Sequence, residues 1–549
     1  MIYVVGSGPA GVSAAYALIQ QGLRVTMLDI GVEIEPERQE LVDRLYTQSP
    51  EQWQQSDIAN LKGEVKAGLG GIPLKRLYGS DFPHRNSGQL GELDSTGVKN
   101  PVTSPARGGF SVIWGAQFMP NRPEDMREWC VSAHDLAPHY EAVLSFVPLA
   151  ARSDQLTKVI PLPGKPLPVL NPSRQGAAFL NTLERNQEVL EANGFYSGLS
   201  RLAVQSKPSD SNPHSCVYCG MCMHGCPYKL IYNSSFTLRT LMESPLFTYI
   251  PHTVVDRVVE EEDTVIIHTR SYPNNEPKTF RAERVFLACG AVSTTRILME
   301  SLNLFDQDIK IQDSVRVLMP FLHRDVQMGV LSESLHTLGQ VNVLLLDSAI
   351  SDYSMHLQFY TYNDHFIAAF KGILGPLFPV AKPFLPLLLG RLSIAFGWLD
   401  SHDSPHMVAR LEKRGTNSVF VLNHVPNPRA NEVALSIARK MWKLRRYFQG
   451  VPLTPAIKVM DAGNGYHYGG SFPMQENPKS GETDRWGRPP TMRRVHAVDG
   501  SILPSITSTT FTYTIMANAH RIASEISLYD PSIQNLCQVQ PATTGKYAL

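Results

Sequence analysis

Residues 2–29 read IYVVGSGPAGVSAAYALIQQGLRVTMLD. A short apolar run leads into Gly6, Gly8 and Gly11, and apolar residues at helical spacing then continue to Gly22, a helix stop. LRVTMLD follows as a second strand ending on Asp29, eighteen residues beyond Gly11. Strand, glycine turn, helix, strand and terminal acid in this register form a dinucleotide-binding fingerprint. The first glycine allows the tight turn, the second lets backbone approach a pyrophosphate, and the third lets helix pack on strand. Phosphates would rest on free amides at the positive helix end. Asp29 would accept hydrogen bonds from a ribose hydroxyl. The fingerprint alone does not separate FAD from NAD.

The rest of the chain bounds the answer. Its 549 residues exceed one compact core, so two domains or a large two-lobed unit are expected. With 43% apolar and 18% charged residues it has the make-up of an ordinary globular protein. Fifty basic residues balance fifty acidic ones, which argues against a nucleic-acid partner. The N-terminus enters a strand at once, with no basic stretch, separate apolar stretch or cleavage site, so a cytoplasmic location is expected. Residues 32–104 lack clear periodicity and read as irregular, whereas DLAPHYEAVLSFV reads as a capped amphipathic helix.

Five stretches together resemble the glucose–methanol–choline (GMC) oxidoreductases. They are the N-terminal fingerprint, GGFSVIWG at 108–115, RVFLACGAVSTTRIL at 284–298, GYHYGGSFPM at 465–474, and HAVDGSILPS at 496–505 with the following TYTIMANAHRIASEI. The resemblance implies an α/β fold, with a Rossmann-like FAD-binding domain of discontinuous segments and a substrate-binding domain of mixed or antiparallel sheet and helices. The first takes residues 1–150, 230–300 and 455–530; the second takes 151–229 and 301–454. It also implies that Gly108, Gly109 and Ser111 pass beside the flavin and pyrophosphate, and that Val254 and Val255 meet adenine. Asp499 and Gly500 would meet the ribityl–phosphate region. Some GMC enzymes bond the flavin to a histidine in a GG-x-S-x-H-W stretch; Ile113 occupies that slot here, so the FAD is expected to be non-covalent.

Alcohol oxidation needs a base for the hydroxyl proton while hydride leaves carbon, and imidazole suits that task. His467 falls at the family's catalytic histidine. The family's second His or Asn position holds Thr510, a hydrogen-bond donor but a poor base. The expected activity is therefore oxidation of a CH–OH group, with sugars or polyols ranked ahead of long-chain alcohols on resemblance alone. Quinone, a protein carrier or oxygen would accept the electrons. An electron-transfer flavoprotein subunit without substrate chemistry is the alternative from another class.

Two features lie outside this scheme. Cys216, Cys219, Cys222 and Cys226 follow C-x2-C-x2-C-x3-C-P, the ferredoxin-type spacing. A 3Fe-4S or 4Fe-4S iron–sulfur cluster, unmetallated thiols in a structural loop, and zinc all remain open. Residues 366–399 are strongly apolar, with only Lys371, Lys382 and Arg391 charged, and are broken by prolines. Two short helices in a membrane interface, with Trp398 and the basic residues at headgroup level, are one reading. This would make the protein peripheral at the inner face of a membrane. A buried helical hairpin or a lid over a substrate tunnel are the others.

Overall fold

The strand that opens the fingerprint lies at the centre of a parallel sheet. In the computed structural model, which describes residues 1–63, 74–85, 87, 93–98, 102–415 and 417–529, Ile2–Val5 pairs with Val25–Leu28 on one side and Arg284–Leu287 on the other. Phe247–Ile250 and Val495–Ala497 complete five parallel strands. The four residues of each of the first two strands are all buried, which explains why they read as unbroken apolar runs rather than alternating ones. The helices Pro9–Gln20 and Thr512–Ser524 pack together against this sheet, joining the two ends of the described chain in one core.

An antiparallel three-stranded sheet, Thr253–Glu260, Val265–Ser271 and Pro277–Ala282, fills the interval between two of those parallel strands. Two further sheets carry the middle of the chain. One is a mixed five-stranded sheet in the order Tyr468–Gly469, Asp308–Asp313, His406–Arg414, Asn417–Val425 and Leu93–Thr96. The other is antiparallel and seven-stranded, and its core path places Arg316–His323 beside Leu392–Trp398, then Met355–Tyr360 and Val341–Leu345. Its apolar face packs under the helix Arg429–Lys443, whose Val433, Ile437 and Met441 recur at helical spacing.

Two expectations are corrected. The region expected to be irregular holds the helices Pro36–Tyr46 and Gln55–Lys62. Pro36 starts the first, but only Leu41, Val42 and Leu45 are buried, too narrow an apolar stripe to stand out in a polar sequence. Residues 64–73, 86, 88–92 and 99–101 of that region lie outside the described residues. The apolar segment divides: Asp364–Leu389 is a chain of short helical pieces, while Leu392–Trp398 is a sheet strand that buries Trp398. Trp398 therefore cannot sit at a headgroup level.

Candidate active site

The two helix mouths that face the parallel sheet are built alike. At the first, a Cβ on Gly11 would lie 1.9 Å from Gly6 O, so only glycine lets this turn close. Gly8, by contrast, would have no atom within 4 Å of a Cβ, and no side chain caps the helix that starts at Pro9. At the second mouth, Gly290 precedes the helix Ala291–Ser301; it too has free space beside it and provides no side-chain cap. Gly8 and Gly290 border one cavity of about 420 Å³. Two sets of unsatisfied first-turn amides thus converge on one space, which suits a diphosphate.

Hydrogen bonds tie distant segments to this cradle. Asp29 lines the cavity, and its Oδ2 accepts from the Ser7 hydroxyl and from Tyr249 Oη at 2.9 Å. Burial pushes its pKa up to about 6, against the pull of those donors. Ser7 N lies 3.4 Å from Oδ1, and the Ile30 amide also donates to this carboxylate. Ser7 Oγ also accepts from Gly108 N at 2.9 Å, docking the GGFSVIWG turn on the fingerprint loop. Ser234 donates to Ser7 O and Gly108 O, both at 3.0 Å, and Ser111 Oγ donates to Gly108 O at 2.6 Å. Sequence reasoning missed Ser7, Ser234 and Tyr249. Only Ser7 had a local signal, its place inside the fingerprint.

Asp499 performs the matching task at the second mouth. Its carboxylate accepts from Gly290 N and Ser501 N, both at 2.9 Å, and from the Thr294 hydroxyl. Gly109, Ser111, Val254, Val255 and Gly500 all line the same cavity, as does Ile113. Gly108 and Gly11 stand just behind that wall. The residues expected around a flavin dinucleotide are thus brought to one place.

The opposite wall comes from the seven-stranded sheet. Arg316, Trp398 and His356 are direct register partners across three strands, and Leu318, Phe396 and Gln358 form the next row on the same face. Arg316, Trp398, Phe396, Gln358 and Tyr360 reach the cavity. His467 enters from the GYHYGGSFPM turn. Its ring stacks on Trp398, with centroids 5.2 Å apart and planes 26° apart, and meets the edge of Phe511 at 5.2 Å. Ser314 N donates to its backbone carbonyl at 2.8 Å. Burial and the nearby Arg316 and His356 hold the His467 pKa down to about 3, so the imidazole is neutral at physiological pH.

His467 Nδ1 and Thr510 Oγ1 are buried without a hydrogen-bond partner, and both residues line the cavity. Buried polar atoms normally find partners, so two orphans in one cavity point to a ligand that completes them. The two residues expected to flank the reacting alcohol are the ones left incomplete.

The cysteine loop lies next door. Met223 borders the main cavity, and Lys75, Ser111 and Trp114 separate it from a second cavity of about 460 Å³ lined by Cys222 and Cys226. All four cysteines pack against a buried cluster that includes Trp53, Tyr228 and Leu338. Among the described residues none forms a disulfide, and no three of their sulfurs lie within 4.8 Å of one another. Tetrahedral zinc, with bonds of about 2.3 Å to sulfur, requires closer thiolates. Burial pushes Cys226 up to about 11 and Cys216 up to about 12, so both are thiols at neutral pH.

No family model and no curated protein matches the chain. Solved structures do. Pyridoxine 4-oxidase from Mesorbium loti superposes with a TM-score of 0.56 at 13% identity, covering 95% of this chain and 98% of that one. A variant formate oxidase from Aspergillus oryzae RIB40, studied for modification of its FAD, gives 0.60 at 12% identity, with 97% and 98% covered. A fungal aryl-alcohol oxidase gives 0.55 at 11% identity, with 96% and 98% covered. The fold is thus shared with these structures along almost the whole chain.

Proposed function

We propose that the protein is a GMC-type, FAD-dependent oxidase or dehydrogenase of a CH–OH group, with His467 as the base. The observation that carries this is the pair of orphaned polar atoms, His467 Nδ1 and Thr510 Oγ1, in a cavity that also holds two uncapped helix mouths. The residues fit FAD: Gly8 and Gly290 leave room for a diphosphate, and Asp29, Val255, Ser111 and Asp499 surround the remainder. Ile113 provides no nucleophile for a flavin bond. When bound, the flavin supplies a two-electron acceptor for the hydride.

The chain's own residues account for the other half of the reaction. A neutral imidazole accepts the hydroxyl proton as the C–H bond delivers its electron pair, leaving a carbonyl. Thr510 donates a hydrogen bond to the substrate oxygen and positions it. Trp398 and Phe511 fix the imidazole plane and keep water away from it. The aromatic wall of Tyr360, Phe396, Trp398 and Phe511 suits an alcohol with an apolar or aromatic body.

Oxygen is the acceptor that best accords with a cysteine loop of buried thiols, and the named structural relatives are oxidases. A quinone or protein carrier, reached through an iron–sulfur cluster, is the second reading. It draws on the loop's closeness to the main cavity through Met223 and Lys75. Iron analysis and peroxide stoichiometry of anaerobically purified protein separate the two. The central test is His467→Ala with FAD content measured in parallel. Retained FAD with turnover lost supports the assignment, and unchanged turnover overturns it.

A further inference from the structure

The sheet side of the cavity holds more donors than the protein satisfies. Arg316 Nη2 donates to Asn464 O at 3.0 Å, but Arg316 Nε is buried without a partner. Gln358 Nε2 and Trp398 Nε1 are orphaned in the same way. No carboxylate lies within ion-pair reach of the Arg316 guanidinium among the described residues; it stacks instead over Phe396, 5.5 Å from the ring centroid. The acid whose charge acts on it is Asp313, whose carboxyl accepts from Gly463 N and is held by burial near pKa 7. An enclosed cation facing only aromatic rings and neutral donors is costly unless an anion enters.

We infer that the substrate carries a carboxylate as well as its oxidisable hydroxyl, bound by Arg316 with Gln358 and Trp398 as neutral donors. This rests on the proposed alcohol oxidation. The product would be the corresponding oxo acid, formed by the same loss of hydride and proton. Arginine suits a planar carboxylate because its donors match it in pairs. Arg316 and Trp398 are register partners on adjacent strands, so both donors come from rigid backbone. The flavin's carbonyl edge is the other acceptor such donors would suit.

The experiment is calorimetry of the FAD-loaded protein with benzoate and its neutral analogue benzamide, in wild type, Arg316→Gln and His467→Asn. Benzoate should bind wild type more tightly than benzamide. Arg316→Gln should weaken benzoate by about tenfold or more while leaving benzamide within about twofold. His467→Asn should keep benzoate binding. Absence of a benzoate preference, or a preference surviving in Arg316→Gln, overturns the inference. So does loss of FAD affinity in Arg316→Gln with benzoate binding intact, which would assign the donors to the flavin. Failure of the alcohol-oxidation reading appears separately, as turnover retained in His467→Asn.

A second, independent observation concerns Asp364–Leu389. These 26 residues are apolar enough to cross a membrane, yet only 11% of the most apolar stretch is buried. Ile373, Leu377, Val380, Phe384, Leu387 and Leu388 are all exposed, Ile373 by 78%. Leu385 and Leu389 share a buried cluster with Val330 of the body, and Asp364 anchors the start of the excursion on Lys62 at 2.8 Å and on His224 at 3.0 Å. The flanking strands exclude a single span: Tyr360 and Ile394 are register partners, so the chain returns to where it left. A continuous helix of this length would end about 39 Å away. Residues 365–399 include Lys371, Lys382 and Arg391 and no acid, in a chain whose charges cancel overall.

The geometry points to a hairpin that docks the protein on an anionic lipid surface, apolar tip inserted and basic residues at the headgroups. Flotation with phosphatidylcholine vesicles, with and without 30% phosphatidylglycerol as a chosen composition of about that fraction, tests it. Full-length protein should float with the anionic vesicles. Leu377→Asp/Phe384→Asp should lower the bound fraction by at least about tenfold, and Lys371→Glu/Lys382→Glu should remove the preference for anionic vesicles. Unchanged melting temperatures show that both variants fold. Wild type remaining unbound, or the apolar variant floating equally well, overturns docking. A stable dimer dispersed by Leu377→Asp would assign the patch to a second copy instead.

Discussion

His467 stacks on Trp398, and Trp398 is the register partner of Arg316, so the base and the cation are set one strand apart on one sheet face. The three residues come from separate strands and a turn, yet the sheet fixes their spacing. Replacing Trp398 with leucine should leave the imidazole free to rotate. We expect kcat to fall by about tenfold or more with KM changed less, since misplacement of a reacting group costs rate. Steady-state kinetics on FAD-loaded protein checks this, and a pure KM effect would assign Trp398 to substrate binding alone.

The two fingerprint glycines make opposite demands. Gly11→Ala places a Cβ 1.9 Å from Gly6 O and should prevent the turn from forming, with loss of folded protein. Gly8→Ala meets no atom within 4 Å. It should fold with an unchanged apo melting temperature but bind FAD at least about tenfold more weakly, because the methyl occupies space the pyrophosphate needs. Equal FAD affinity in Gly8→Ala would show that the phosphates lie elsewhere.

What the sequence made legible follows a physical pattern. Gly6, Gly8, Gly11 and Asp29 were readable because turn, helix and strand are contiguous and each residue type answers a local need. Asp499, His467 and Thr510 were readable through resemblance over short stretches. Arg316, Gln358 and Trp398 were not. They meet only because three strands spread over more than eighty residues pair in a particular register, which no local period records. The same holds for Ser7 and Ser234, whose shared hydrogen bonds span 227 positions. The apolar segment was visible as composition, but its end was not. Leu392–Trp398 continues the apolar run as a buried strand, and hydrophobicity alone does not distinguish the two.

Thr510 offers a clean separation of stability from function. Its hydroxyl is buried and unpartnered, so Thr510→Val should not destabilise the folded protein and could raise its melting temperature slightly. If the hydroxyl holds the substrate oxygen, kcat/KM should drop by about tenfold. A variant with full activity would remove Thr510 from the reaction.

Acid stability follows from the buried histidines. Burial lowers His467 to about 3 and His139, His323, His336, His356 and His520 to about 4, all below the ordinary 6.5. Between those values the unfolded chain binds protons that the folded one refuses, so their contribution is complete above pH 6.5 and is lost as pH falls toward 4. Asp29 and Asp313 act in the opposite sense, because burial raises them to about 6 and 7. Burial also raises Asp154, Asp400 and Asp499, but it lowers His84, His268, His365 and His406 as well, so among the described residues the lowered histidines outnumber the raised acids. Asp364, held below the usual carboxylate range by hydrogen bonds from His224 and Lys62, adds to the acid loss lower down. The melting temperature of the FAD-loaded protein should therefore fall steadily from pH 6.5 to 4.5. His323→Phe, whose ring already lies among Phe179 and Phe321, should make that slope shallower. A slope unchanged in this variant would mean that His323 is protonated in the folded protein and that its burial is less complete than the sheet packing indicates.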